Sequence, residues 1–223
     1  MRVMLVSSPG AGTESHWSHA RAAVVAECLS ARGATVAWVA VARPGQSLPP
    51  TSPSVAARTL WAGALLKPHR VAADSQHLPV EVAVTQALRE APARAVVHLG
   101  AGARGSPNIA WLAERLGAAP FAVVRAAEVV CHRGDLVDHT GVACEQFLDA
   151  QRCRRCCAGS WWQRPGADDF RNRGDLLAGS LLVCSTVFTA SELDIAPLVA
   201  FGLPRRSLVV ATDPDVLAAA ILS

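Results

Sequence analysis

Five of the seven cysteines fall between Cys131 and Cys157, with the spacing C-x12-C-x8-C-x2-C-C. A C-x2-C pair brings two thiolates to one metal with little strain, and two more distant thiols close a tetrahedron. The spacing predicts one structural zinc on Cys131, Cys144, Cys153 and Cys156, with Cys157 as an alternate for the last. His132 and His139 could each replace one thiolate. The competing reading is disulfides or free thiols, and a cytosolic chain disfavours stable disulfides. The surrounding segment has few apolar residues, so metal binding is expected to supply its folding free energy. Arg152, Arg154 and Arg155 are placed to lower the thiol pKa values and offset the charge of the site. Cys28 and Cys184 sit in apolar helix and strand contexts and read as small buried hydrophobes.

Two glycine-rich loops follow strands. The first, Pro9-Gly10-Ala11-Gly12-Thr13-Glu14, ends the first strand, where backbone N–H groups of an open α/β sheet meet ligands. Gly10, Gly12, Thr13 and His16 are its binding candidates, with His98 and Arg125 at other strand ends. His16 reads equally well as a surface histidine, and His98 as a satisfied strand-end residue. The second loop, Gly100 to Gly105, matches G-x-G-x-x-G, a dinucleotide signature. Here Ser106 and Pro107 place the helix start after all three glycines, and Arg125 stands where an acidic ribose ligand belongs. An NAD(P)-dependent oxidoreductase is therefore the third of three readings.

The elements that must position these groups alternate. Strands are expected at Arg2–Ser7, Thr35–Val41, Arg94–Leu99, Phe121–Val124, Leu181–Ser185 and Ser207–Val210. Helices are expected at Ser15–Ala31, Val55–Leu66, Pro79–Glu90, Pro107–Leu116 (capped by Ser106), Asp168–Ala178, from Ser191, and at Asp213–Leu222. Gly33 and Gly117 stop two of them, and Ala42–Ser54 is a Pro/Gly/Ser-rich loop. The fold class is α/β: a single Rossmann-like domain over residues 1–223, its mostly parallel sheet covered by helices on both faces. A Cys-rich zinc-binding insertion occupies about 125–160.

Composition narrows the functions. Apolar residues make up 51% of the 223, charged ones 17%, and the net charge is +3. Arginine supplies 20 of the 21 basic residues and Lys67 the other, as in a bacterial protein of a GC-rich genome. The basic residues are dispersed and tyrosine is absent, which argues against nucleic acid as a partner. Leu176 to Ser191 is too short and polar to span a bilayer, and Val3 to Val6 too short for a signal peptide, so the expected location is cytoplasmic.

The sequence resembles the N-terminal domain of family 4 retaining glycosyltransferases of the GT-B fold. RVMLVSSPGAG (residues 2–12), a helix ending at Gly33 and the strand after it resemble the family's opening strand, glycine loop, helix and second strand. Val96-Val97-His98, a glycine loop, a helix and Leu116-Gly117-Ala-Ala-Pro120-Phe-Ala-Val-Val124 resemble its next section. Cys131-His-Arg-Gly134 through Gly141-Val-Ala-Cys144, then Cys153-Arg-Arg-Cys156, resembles a four-cysteine insertion found in a subset. Leu198–Val210 resembles the segment before the interdomain linker.

The resemblance implies an acceptor-side domain that works with a sugar-nucleotide domain. That second domain is expected on a partner chain, because its acidic donor-binding pair has no counterpart here. The subset's His-Asp pair before the first cysteine reads Arg125-Ala126, and the linker Asn-Gly reads Ala211-Thr212. Two readings follow: the acceptor half of a two-component glycosyltransferase, or a non-catalytic, zinc-stabilised scaffold derived from one. Trp161-Trp162 is a candidate contact surface for the second reading, or else packs the insertion on the core.

Overall fold

The computed structural model describes residues 1–8, 17–42, 47–61, 77–101, 106–158 and 166–223. Gly10, Gly12, Thr13 and His16, the later part of the second glycine loop, and Trp161-Trp162 lie outside the described residues.

Runs of β-branched and small apolar residues build seven strands: β1 Arg2–Ser7, β2 Thr35–Ala42, β3 Val55–Trp61, β4 Ala95–Leu99, β5 Ala119–Val124, β6 Thr186–Thr189 and β7 Leu208–Val210. All neighbours pair in parallel, in the order β3-β2-β1-β4-β5-β6-β7. A parallel sheet is buried on both faces, which is why β4 and most of β1 and β5 are inaccessible. Among the described residues, eight α-helices follow or link the strands: α1 Trp17–Ala31, α2 Leu78–Glu90, α3 Asn108–Arg115, α4 Ala126–Val130, α5 Ala150–Cys157, α6 Ala167–Val183, α7 Ile195–Ala200 and α8 Pro214–Leu222.

Alternate residues of each strand feed two cores. Val3, Leu5, Val36, Trp38, Val97 and Phe188 pack under α1 and α8. Met4, Val6, Val39 and Val96 pack under α2 and α3. A third cluster joins Ala122, Val124 and Val187 to α4, α6 and α7.

Three expectations are corrected. Residues 55–61 form an edge strand, where a helix was expected over Val55–Leu66. Its Ala, Arg and Leu favour a helix, but seven register pairs with β2, from Val36↔Val55 to Ala42↔Trp61, override that preference. The strand expected at Leu181–Ser185 begins instead at Thr186, because Leu181 to Val183 complete the last turn of α6. Ser106 does not cap α3: its hydroxyl donates to Glu81 Oε1 of α2. Gly33 and Gly117 do end helices with positive φ, and Asp213 caps α8 by accepting from Asp215 N–H.

The insertion also departs from the expectation that only metal could order it. Ala126, Val129 and Val130 are buried in the third core, with Leu136 and Phe147 packed against it. Its first turn is therefore held by ordinary burial.

Strand order reverses between β1 and β4, and in open α/β sheets the ligand crevice lies at this switch point, at the carboxyl edge of the sheet. Backbones meet closely there. Ser8 N–H donates to Leu99 O, and Gly100 N–H to Val123 O. Gly100 has φ +79°, and a Cβ on it would fall 2.6 Å from Ser8 O. Gly100→Ala is expected to cost roughly 1–3 kcal/mol, read as a lower urea midpoint; an unchanged midpoint would show that this contact relaxes freely.

Candidate functional site

The crevice floor is made of buried polar groups. On one face of the sheet, Trp38 Nε1–H donates to Ser7 Oγ at 2.8 Å, and Ser7 Oγ lies 2.7 Å from His19 Nδ1. On the other face, Ser8 Oγ lies 3.4 Å from His98 Nε2. His98 is 4% exposed. Burial, reinforced by the neighbouring His77, pushes its pKa down to about 3. Its imidazole is thus neutral at physiological pH and backs the crevice from beneath.

Other elements close the same edge. Ser18, in the first turn of α1, donates to Ser8 O. Trp17 Nε1–H donates to Glu128 Oε1 at 3.0 Å, tying the start of α1 to α4. Ala126 N–H, at the start of α4, donates to Asp194 Oδ1, and Thr189 hydroxyl to Asp194 Oδ2. Arg125 stands at the end of β5 as the N-terminal flank of α4, half-buried.

The cysteine segment hangs from this edge. Cys131 ends α4, Cys144 lies in a loop where its N–H donates to Leu136 O, and Cys153, Cys156 and Cys157 lie on α5. Asp149 starts α5 by accepting from the N–H groups of Gln151 and Arg152. All five thiols, with His132 and His139, line one cavity of about 220 Å³. Burial pushes the Cys153 thiol up to about 12, helped by the neighbouring thiols of Cys131, Cys144 and Cys156. The Cys156 thiol is raised by burial, against a hydrogen bond from the His139 backbone N–H and the charge of Arg133. Cys157 instead packs with Cys153 against Phe170 of α6. As the side chains stand, no three His, Cys, Asp or Glu groups among the described residues are gathered closely enough to hold a metal. Cys28 is half-buried on α1, and Cys184 ends α6 with its thiol against Ser180 O.

The loop between Cys131 and Cys144 is ordered by one carboxylate. Asp138 Oδ1 accepts from the Thr140 hydroxyl and from the N–H groups of Thr140 and Val142, and Arg152 reaches Oδ2 at 3.4 Å. The Thr140 hydroxyl and N–H hold Asp138 down to about 2.

Several residues of the edge were not singled out in the sequence: Ser7, Ser8, His19, Trp38, Glu128 and Arg173. A signal existed for Arg173. It falls on the apolar stripe of α6, with Phe170, Leu177, Ser180 and Leu181, and is 2% exposed. Its guanidinium donates to Val129 O at 2.9 Å and Glu128 O at 3.0 Å. Burial lowers its pKa to about 10, opposed by charge on Cys131, Cys153 and Cys157.

Strand order and crevice define a doubly wound, Rossmann-like α/β domain with a cysteine-bearing segment at its ligand edge. No family model matches the sequence, and no curated protein matches it. Solved structures are similar at low identity. UDP-N-acetylglucosamine 2-epimerase from Rickettsia bellii has a TM-score of 0.48 and 13% identity, over 99% of this chain and 47% of that one. UDP-GlcNAc 2-epimerase from Neisseria meningitidis, bound to UDP-GlcNAc, has 0.47 and 11%, over 99% and 49%. A ugt transferase from Siraitia grosvenorii, in complex with UDP, has 0.45 and 14%, over 93% and 50%. The chain thus spans about half the length of each. Among the described residues no helix is long and apolar enough to cross a membrane.

His98 predicts a pH dependence. Unfolded, it titrates near 6.5; folded, near 3. The unfolded chain therefore binds more protons between these values, so this contribution is intact above pH 6.5 and lost as pH falls towards 3. The slope is about 1.4 kcal/mol per pH unit. Urea unfolding of His98→Asn is expected to lose about 2 kcal/mol less than the wild type between pH 6.5 and pH 5. Parallel curves would contradict a buried neutral imidazole.

Proposed function

We propose that this domain is the acceptor-side lobe of a two-lobed, GT-B-like enzyme that uses a sugar nucleotide in glycan or polysaccharide synthesis. The observation that carries the reading is the β1/β4 switch point of the parallel sheet, with the cysteine segment rooted after β5. In this reading a partner supplies the second lobe, which would bind the nucleotide. In the same reading Gly10, Gly12, Thr13 and His16, which follow β1 in sequence, are the candidates for contact with the acceptor. Arg125, at the end of β5, offers a cation to a phosphate. His98, dry and neutral, holds Ser8 from behind.

The cysteine segment is the wall of this site, and its donors suit a thiophilic cation. Four thiols belong to the loop and helix that line one cavity, and the His139 N–H hydrogen bond to the Cys156 thiol favours Cys156 over Cys157 as the fourth ligand. Cys131, Cys144, Cys153 and Cys156 would hold the zinc, and zinc would supply a deprotonated, structural cross-link. Protein purified without chelator is expected to carry one zinc per chain by elemental analysis; none would remove the metal from the account.

A second reading is a non-catalytic, zinc-stabilised scaffold. Ala126 favours it, because the residue in the place of the subset's aspartate is an apolar group buried in the third core at the start of α4. One experiment separates the readings. The chain is recovered with its native partner and UDP release from UDP-GlcNAc is followed. The enzyme reading expects release by the complex, reduced about tenfold or more by Arg125→Ala as a charged phosphate contact is lost. A complex inert with UDP-GlcNAc and other sugar nucleotides supports the scaffold. A micromolar Kd for NADH or NADPH by fluorescence titration would instead restore the oxidoreductase.

A further inference from the structure

Two limbs of the cysteine segment rest on one helix. Phe170 of α6 packs against Cys153 and Cys157 of α5, and its ring meets the His132 imidazole edge-on at 4.5 Å. One turn further along α6, Arg173 reaches α4. Its two N–H bonds go to the carbonyls of Glu128 and Val129, in the last turn before Cys131. Carbonyls of a helix's last turn lack partners within the helix, and a guanidinium fork answers two of them together. Cys131 itself ends α4, with its N–H on Ala127 O. A cation in this position costs solvation energy unless negative charge lies beside it. Charge on Cys131, Cys153 and Cys157 favours the Arg173 cation, and four thiolates around a divalent cation would keep a net negative charge.

We propose that Arg173 is the positioning residue and counter-charge of the thiolate centre: it fixes the Cys131 limb through the Glu128 and Val129 carbonyls and sets a permanent positive charge against the cluster. The inference rests on the metal reading above, and the ligand class is a divalent thiophilic cation. Arginine suits both duties. Lysine would keep the charge but lose the fork, and methionine would fill the space with neither.

The test uses the full chain with cobalt(II) and zinc(II) as probes. Affinity is read by competition with a chromophoric chelator, and ligand geometry by the visible ligand-field bands of bound cobalt. Far-UV circular dichroism and the urea midpoint of the metal-free proteins control for folding. Folded Arg173→Met is expected to bind cobalt about tenfold or more weakly, with bands shifted from the wild-type pattern as Cys131 is released. Arg173→Lys is expected to fall between it and the wild type. If Arg173→Met does not fold, Arg173→Lys against wild type carries the comparison, with a several-fold loss expected. Variants that fold and match the wild type in affinity and bands overturn the role of Arg173 and leave the metal reading standing. A wild-type chain that takes up neither metal overturns the metal reading, and this inference with it.

Discussion

The constraint on which the rest of the molecule depends is that seven strands run in one direction. Parallel strands deliver every carboxyl end to the same edge, so loops distant in sequence emerge side by side. Ser8, Gly100, Arg125 and Asp194 follow four different strands and meet there for that reason. The reversal of order between β1 and β4 puts the switch point of the sheet, where open α/β sheets take ligands, on this edge. The cysteine segment is rooted at the same edge because it follows β5, two places from β1.

Packing then decides how firmly the edge is held. A hydroxyl, an indole N–H and an imidazole buried beneath the crevice must satisfy one another, since each would cost free energy alone. Ser7 does this with Trp38 and His19, and Ser8 with His98, from opposite faces of the sheet. The bases of the two crevice loops are thereby fixed from below. Around them, Trp17 to Glu128 and Ala126 to Asp194 link three successive edge loops sideways. Those two contacts extend the fixed region to α4, and Arg173 extends it from α4 to α6, against which the cysteines pack.

Much of this was legible in the residues. Central strands are apolar runs on a background of helical spacing, so β1, β2, β4 and β5 could be read directly. The edge strand β3 could not. Its Ala, Arg and Leu carry a helical preference, and only pairing with β2, a non-local event, turns it into a strand. The end of α6 was misread for a related reason: Leu181 to Val183 are three apolar residues in a row, and a short apolar helix end looks like a strand. The cysteines announced themselves by spacing. Arg173 did not, because a charge on an apolar stripe reads as an irregularity until its two carbonyl partners are seen. The buried Ser7 and His19 pair, twelve residues apart, is a contact that no local pattern encodes.

The account therefore joins a conventional crevice to a segment that only partly orders itself. The start of α4 is buried in the core, while residues from His132 to Asp149 are held by Leu136 and Phe147 packed against that core, by His132 on Phe170 and by the Asp138 turn. Its central claim is that these thiols form one tetrahedral metal centre at the ligand edge. X-ray absorption at the zinc edge, on protein purified without added metal or chelator, tests that claim most directly. The account predicts a first shell of four sulfurs at about 2.3 Å. A shell dominated by nitrogen or oxygen, or the absence of a zinc edge, would contradict it.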